Sequence, residues 1–374
     1  MTSKFELSIS TEYVPDWGLV EAFRELFQNA LDNEIMNPEN KMSWKYNASK
    51  KEVIISNKTS RLETSSLLLG SGTKHDRTDT IGKHGEGYKI AFMVLLRNAK
   101  TILVENYGLN EIWEVKLVKS RKYRGQLVPT VFVNKEPIWK KKPSSDLTIT
   151  VGNISEEEYT ELVKKNLHLQ NNVESITAEG YGSVLLNENE SGNIYVNGLF
   201  IANKDGFEYG YDFPPNVISL DRDRKLVDSF DIKWHASALW SKVSDTSGEA
   251  RKIATGLVLD KSNDTAYISS MSYSNTKIVN SVADKFYTDN GKDAVPVTSN
   301  IEYKAVEKEG TGKPVIVTSE LAEVLRSNNI EEESRAIKVV SVQEQLRTFI
   351  DKIADKLSDE ELEEINEIID KVNN

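Results

Sequence analysis

The chain has 374 residues, 39% hydrophobic and 28% charged, with a formal net charge of -11 and no cysteine. That length suits two or three packed domains. The acidic balance disfavours broad, nonspecific nucleic-acid binding, which needs a basic surface, and the lack of cysteine excludes disulfides and thiolate metal sites.

The four histidines, His75, His84, His168 and His235, stand at no metal-ligand spacing. No apolar run approaches the ~18 residues of a membrane span. "MTSKFELSIS" lacks the basic-then-apolar layout of a signal peptide, so the expected location is the cytoplasm. The basic clusters "KSRKYRG" and "KKK" read as solvated strand and loop positions.

From Asp16 to about Met36, Val20, Phe23, Phe27, Ala30 and Leu31 recur at helical spacing, with Asp16 placed to cap the first turn. "EVIIS" reads as a strand, and a polar segment containing "LLLGSGTK" runs to Asp79. After "GKHGEGYK" a second helix is predicted from about Lys89 to Arg97, followed by the strands "TILVEN", "IWEVKLV" and "DLTITV". Helices combined with strands in hairpin order predict an α+β sandwich. A second unit begins near Gly180, with "GNIYVNGLFI" and "FEYGYDF" as paired strands and "DRDRKLVDSFDIKWHASALWSKV" as a helix. Farther on, "KPVIVTSELAEVLRS" reads as a buried strand and a helix. The chain closes with two short helices, the second opened by Ser358 with Glu361 three residues on.

In "EAFRELFQNALDNE", Glu21, Glu25, Asn29 and Asp32 fall within about 80° of arc at ~100° per residue, opposite Phe23, Phe27 and Leu31. A solvated stripe is one reading. Against it, no lysine sits four residues from Glu21 or Glu25 to make the usual exposed pair. A carboxylate one turn from a carboxamide suits another task, Asn29 giving a neutral oxygen to a magnesium ion and Glu25 taking a proton from water.

The glycines of "GKHGEGYK" do not open a strand-helix-strand unit and lack the Lys-Ser/Thr ending of a Walker loop. What remains is close backbone approach at a helix N-terminus, where free amides favour an anion such as phosphate, or else a plain loop-helix junction.

The helix motif and the glycine motif, in this order and about 55 residues apart, resemble those of the GHKL ATPases, the superfamily of gyrase B, heat-shock chaperones, histidine kinases and MutL. Their Glu-x-x-x-Asn motif is matched by Glu25 and Asn29, with Asp32 following. The resemblance implies that Glu25 activates the attacking water and Asn29 holds magnesium. "IGKHGEGYK" is similar to the glycine box that ends the nucleotide lid, and "LLLGSGTK" to the lid's start. By that likeness Gly82, His84, Gly85, Glu86, Gly87, Tyr88 and Lys89, with Gly70, Ser71 and Lys74, line the ATP site.

The family follows the strand "EVIIS" with an aspartate and two spaced glycines, the carboxylate accepting from the adenine amino group. Here Asn57 stands there with no glycine behind it. It can accept through its carbonyl oxygen, and its amide hydrogens suit a different base edge. Ser145 is the implied hydroxyl beside the base rather than Thr148, because alternation puts Leu147, Ile149 and Val151 on the face of Ser145.

"NVISLDRDRK" resembles the chaperone segment whose arginine senses the γ-phosphate, giving Arg222 first and Arg224 second, with Lys225 a third choice. The competing reading is a helix start with local pairs to Asp221 and Asp223. The combination most resembles stand-alone bacteriophage members of rIIA type.

The resemblance covers roughly residues 10 to 245. It implies a GHKL (Bergerat) α/β sandwich over residues 1–175 and an S5-like α+β transducer over 176–245; beyond it the sequence pattern itself reads as a small α/β region over 246–335 and a helical hairpin over 336–374. The implied function is that of a magnesium-dependent ATP-binding protein and slow ATPase, whose nucleotide state drives lid closure and dimerisation to act on a partner protein. The alternative is a nucleotide-binding module or inhibitor that targets a host protein without hydrolysis.

Overall fold

The computed structural model describes residues 2–67, 87–135, 144–218, 220, 229–274, 276–327 and 365. It divides into two compact units, residues 1–281 and 282–374. The mixed α+β architecture predicted from the sequence is observed.

The first unit is built on a seven-stranded sheet of order β1-β6-β5-β4-β7-β3-β2, with every neighbouring pair antiparallel. The strands are β1 (Thr2–Glu6), β2 (Met42–Asn47), β3 (Glu52–Asn57), β4 (Thr101–Asn106), β5 (Glu111–Lys119), β6 (Leu127–Lys135) and β7 (Leu147–Gly152). Alternation buries Val53, Ile55 and Asn57 on β3, Ile102, Val104 and Asn106 on β4, and Leu147, Ile149 and Val151 on β7. The apolar members of this set join one core with α1 (Leu19–Met36) and α2 (Gly87–Arg97). Burying side chains of this size stabilises the fold by roughly 2 kcal/mol each.

α1 differs from expectation at its start. Its N-cap is Gly18, and the carboxylate of Glu21 accepts from the Gly18 amide at 2.8 Å. Glu21 thus serves the first turn, because a carboxylate three residues into a helix reaches back to the cap amide. The "KSRKYRG" stretch ends β5 and continues into an exposed turn.

A second sheet, of order β11-β10-β12-β9-β8, follows α3 (Glu156–Lys164). Its strands are β8 (Ser175–Ala178), β9 (Gly182–Leu185), β10 (Asn193–Val196), β11 (Leu199–Asn203) and β12 (Gly210–Phe213). The β10–β11 hairpin turns on Asn197 and Gly198, both at positive φ (50° and 75°), as an Asn-Gly pair allows. α4 (Ser229–Thr246) is pinned to this sheet where Trp240 Nε1 donates to the Tyr211 hydroxyl at 2.9 Å. Tyr211 in turn donates to the buried carboxylate of Asp264, which also accepts from the Glu208 amide at 2.9 Å. α5 (Gly248–Leu259) follows α4, and α6 (Thr276–Asn290) carries the chain onward.

The second unit contains a β-α-β-α run: β13 (Ala294–Val297), α7 (Asn300–Glu309), β14 (Lys313–Ile316) and α8 (Ser319–Arg326), with β13 and β14 paired in parallel. The apolar run of β14 predicts burial, and the structure corrects this. Lys313 and Ile316 are exposed, and only half-buried positions lie between them. Apart from residue 365, the two helices expected at the C-terminal end lie outside the described residues.

Candidate functional site

α1 buries two of its acidic residues. Glu25 is 2% exposed and Asp32 0%, while Asn29 is half-buried. Lys89 on α2 is 1% exposed and Arg24 on α1 is 8% exposed. The charged face of α1 is therefore not a solvated stripe.

The two motifs meet at Gly87, the first residue of α2. A Cβ added there would stand 2.7 Å from Glu25 Oε2 and 2.9 Å from Asn29 Nδ2. At such distances any side chain would have to displace the ends of Glu25 and Asn29, so the backbone at the start of α2 lies directly against that pair. Asn29 Nδ2 donates to the Glu25 carbonyl at 2.8 Å, one turn back along the helix. That bond fixes the amide plane and leaves Oδ1 as the group Asn29 can offer to a ligand.

The carboxylate of Glu25 is bracketed on its other side. Arg24 Nε lies 3.9 Å from Glu25 Oε1. The same guanidinium stands 5.1 Å from the Trp17 ring centroid and reaches the Phe200 carbonyl on β11 at 3.5 Å. Phe27 stacks on His168 at 5.4 Å between ring centroids. The back of α1 is thus held by residues beside and within the second sheet, while its front meets α2. Burial, and after it the Asp32 carboxylate, push the Tyr88 hydroxyl well above its ordinary pKa, so it is a donor at neutral pH.

Asn57 ends β3 and is 3% exposed. Its Nδ2 donates to the Ala30 carbonyl at 2.8 Å and to the Asn40 carbonyl at 3.0 Å. Both amide hydrogens are therefore committed to backbone, which leaves Oδ1 as an acceptor. The turn after it is made without glycine: Thr59 takes φ +49°, and its amide donates to Asp146 Oδ1 at 3.1 Å. Asn33 Nδ2 donates to Ser60 Oγ at 2.5 Å, and Asn106 Nδ2 to the Leu62 carbonyl at 2.7 Å. Side chains from α1, β4 and the approach to β7 thus fix the path of residues 59–62.

Asn106 was not among the residues singled out from the sequence. Asn57 and Asn106 both pair with Leu147, so the three stand in one row across β3, β7 and β4 on the buried face. Asn106 Oδ1 is buried and meets no donor among the described residues. The signal was the alternation of "TILVEN", which puts Asn106 on the face of Ile102 and Val104.

The structure brings Glu25 and Asn29 of α1 against Gly87 of α2, buries Lys89 on α2, and places Asn57 behind α1 at the sheet's end. Ser145 is exposed, with its Cβ 3.8 Å from the position a Cβ on Gly108 would take. Thr148 is half-buried on the other face from Leu147. Gly70, Ser71, Lys74, Gly82, His84, Gly85, Glu86, Arg222 and Arg224 lie outside the described residues. Among the described residues no group of three or more His, Asp or Glu side chains is placed to hold a metal, and no helix is long and apolar enough to cross a membrane.

The family described as Mycoplasma pneumoniae MPN635 N-terminal domain matches residues 157–241, a stretch that holds the second sheet and neither α1 nor α2. No curated protein matches the chain. Among solved structures, the ATPase region of Saccharomyces cerevisiae topoisomerase II is similar at 12% identity and TM-score 0.30, over 49% of this chain and 62% of that one. The same region bound to ICRF-187 (dexrazoxane) matches at 13% identity and TM-score 0.29 over the same shares, 49% and 62%. The ATPase and transducer domains of DNA topoisomerase II from Balamuthia mandrillaris match at 11% identity and TM-score 0.31, over 54% of this chain and 67% of that one. The chain thus spans 62% of the yeast regions it matches.

Proposed function

We propose that this chain is a GHKL-type protein that binds ATP with magnesium between α1 and the start of α2, and hydrolyses it slowly. The observation that supports this most directly is the contact of Gly87 with both Glu25 and Asn29. It joins the two motifs whose combination resembles the GHKL ATPases, and it sets the backbone of the glycine motif beside a carboxylate and a carboxamide.

The residues present fit a magnesium ion. Asn29 Oδ1 is a hard neutral oxygen, and with no acidic cluster among the described residues the remaining ligands would come from phosphate and water, as magnesium prefers. Bound magnesium would neutralise phosphate charge.

The chain's own groups then divide the work. The Gly87 backbone, lacking a side chain, lets phosphate oxygens approach the N-terminus of α2, and Lys89 adds a cation two residues on. Glu25, oriented by Arg24, takes the proton of the attacking water. Asn57, its hydrogens already bonded, presents Oδ1 to a base that carries an amino group, as adenine does. The second sheet, held against the back of α1 through Arg24 and Phe27, acts as the transducer and passes the nucleotide state to a partner, either a second copy or another protein.

Phosphate release under saturating Mg-ATP tests the hydrolysis claim. The wild type is expected to turn over at least about tenfold faster than Glu25→Ala, with both binding nucleotide in calorimetry. A wild type no faster than the variant sinks hydrolysis, and binding without turnover selects the non-hydrolysing module. Absence of nucleotide binding with magnesium present rejects both.

A further inference from the structure

The end of α2 opposite Gly87 carries a second tie to α1. Arg97, the last residue of α2, donates from Nη1 to the carbonyls of Thr11 (3.0 Å) and Tyr13 (3.1 Å), and from Nη2 to those of Val14 (3.1 Å) and Trp17 (2.6 Å). An arginine in the last turn of a helix commonly serves its own terminal carbonyls. Here all four bonds go instead to the segment that leads into α1, whose cap is Gly18.

That segment carries backbone strain. Val14 is β-branched, precedes Pro15 and takes φ +46°, a left-handed conformation that such a residue adopts only when its surroundings impose it. Its carbonyl accepts from both the Trp17 amide (3.0 Å) and Arg97. The guanidinium fork, with its donors in fixed directions, can gather several carbonyls at once.

α2 therefore begins against Glu25 and Asn29 and ends against the approach to α1, so the two helices run antiparallel and are tied at both ends. We propose that Arg97 is a positioning residue, which sets the register of α1 along α2 and so the placement of Glu25 and Asn29 against Gly87. Apolar packing between helices opposes separation more than sliding, and the directional bonds of the fork supply what that packing lacks. The consequence for hydrolysis rests on the ATP reading above. A displacement on the order of 1 Å at the reacting groups costs up to about a hundredfold in rate.

The chain has no cysteine of its own, so spin labels can be placed cleanly. Ile35→Cys near the exposed end of α1 and Asn98→Cys just past α2 report the register by pulsed electron resonance, without nucleotide. Arg97→Ala is expected to broaden the distance distribution or shift it by about 1.5 Å or more, the rise of one helical residue. Arg97→Lys, with one ammonium for four carbonyls, is expected to do so partially, and it serves if the alanine variant fails to fold. In turnover, Arg97→Ala is expected to lose about ten- to a hundredfold in kcat with a smaller change in KM. Distances unchanged in both variants, with only the melting temperature lowered, would overturn the proposal and leave Arg97 a plain staple. A wild type that binds no nucleotide rejects the ATP reading, while the label distances still decide whether Arg97 sets the register.

Discussion

Gly87 and Glu25 touch so closely that a Cβ on the glycine would stand 2.7 Å from the Glu25 carboxylate. Neither side chain facing that point has slack, since Glu25 is buried and Asn29 is bonded back to its own helix. Gly87→Ala is therefore expected to push Glu25 or Asn29 aside, costing about 1–3 kcal/mol of stability and abolishing Mg-nucleotide binding in calorimetry. Gly256 on α5 is the control, because a Cβ there meets nothing within 4 Å. Gly256→Ala should instead stabilise by about 0.5–1 kcal/mol, as glycine in a helix interior is costly. Equal effects of the two substitutions in urea unfolding would remove the special status of Gly87.

Asn29 separates the metal from the fold. Its side-chain amide donates to the Glu25 carbonyl within the same helix, so Asn29→Ala should change stability by no more than about 1 kcal/mol. It removes Oδ1, and nucleotide affinity should then gain little from magnesium. Titrations with and without the ion check this: an undiminished magnesium effect in the variant would place the ion elsewhere.

Much of this was legible before the structure, and the exceptions have physical causes. β3, β4, β7 and the first half of β5 were readable because they bury alternate residues, and α1 and α2 because their apolar positions keep helical spacing or form a helix-length apolar run, although both helices are buried nearly all round at their middles. β1 was not, since residues Thr2 to Phe5 of this edge strand are exposed and its sequence has no alternation to read. β2 is half-buried nearly throughout, and β6 carries Pro129 inside its run. The burial of Glu25 and Asp32 was also invisible, because α2, distant in sequence, packs against the face that carries Glu25. The grip of Arg97 on residues 11–17 leaves no periodic trace at all.

Thr59 makes with strain the turn that the GHKL resemblance would give to glycine. Its φ of +49° is unfavourable for a β-branched residue. Thr59→Gly keeps the backbone amide that donates to Asp146 and relieves the strain. A gain of about 1 kcal/mol is expected, less the entropy glycine adds to the unfolded chain. Thermal unfolding decides it, and a loss of stability would mean the Thr59 side chain contributes more than its backbone costs.

His235 makes the second sheet's contact with α4 sensitive to acid. Its Nδ1 lies 2.8 Å from the Tyr181 hydroxyl, and burial lowers its pKa from 6.5, with Asp231 opposing. The folded state thus prefers the neutral ring while the unfolded chain takes a proton more readily. Stability from this site is complete above the unfolded value and is lost as pH falls through 6.5 toward the folded one. His235→Gln keeps an acceptor and cannot titrate, so its melting temperature should fall less than the wild type's between about pH 7.5 and 5.5. Parallel curves would show that His235 does not carry this limb.

Asn57 decides how the base end of the site is built. Its two amide hydrogens meet the carbonyls of Ala30 and Asn40 at 2.8 and 3.0 Å. The aspartate that the GHKL resemblance would place here would aim a carboxylate at two carbonyl oxygens. Asn57→Asp is therefore expected to destabilise by about 3 kcal/mol near neutral pH, since it buries a charge against acceptors. The new carboxyl should titrate above its unfolded value of ~3.9. The deficit is then largest above the folded pKa and shrinks as pH falls toward the unfolded one, because protonation removes the charge and supplies one donor. Urea unfolding at about pH 7 and pH 5 reads both points. A variant as stable as the wild type at pH 7 would mean that the Asn57 amide hydrogens are not held by backbone, and the argument for an acceptor facing an amino-bearing base would go with it.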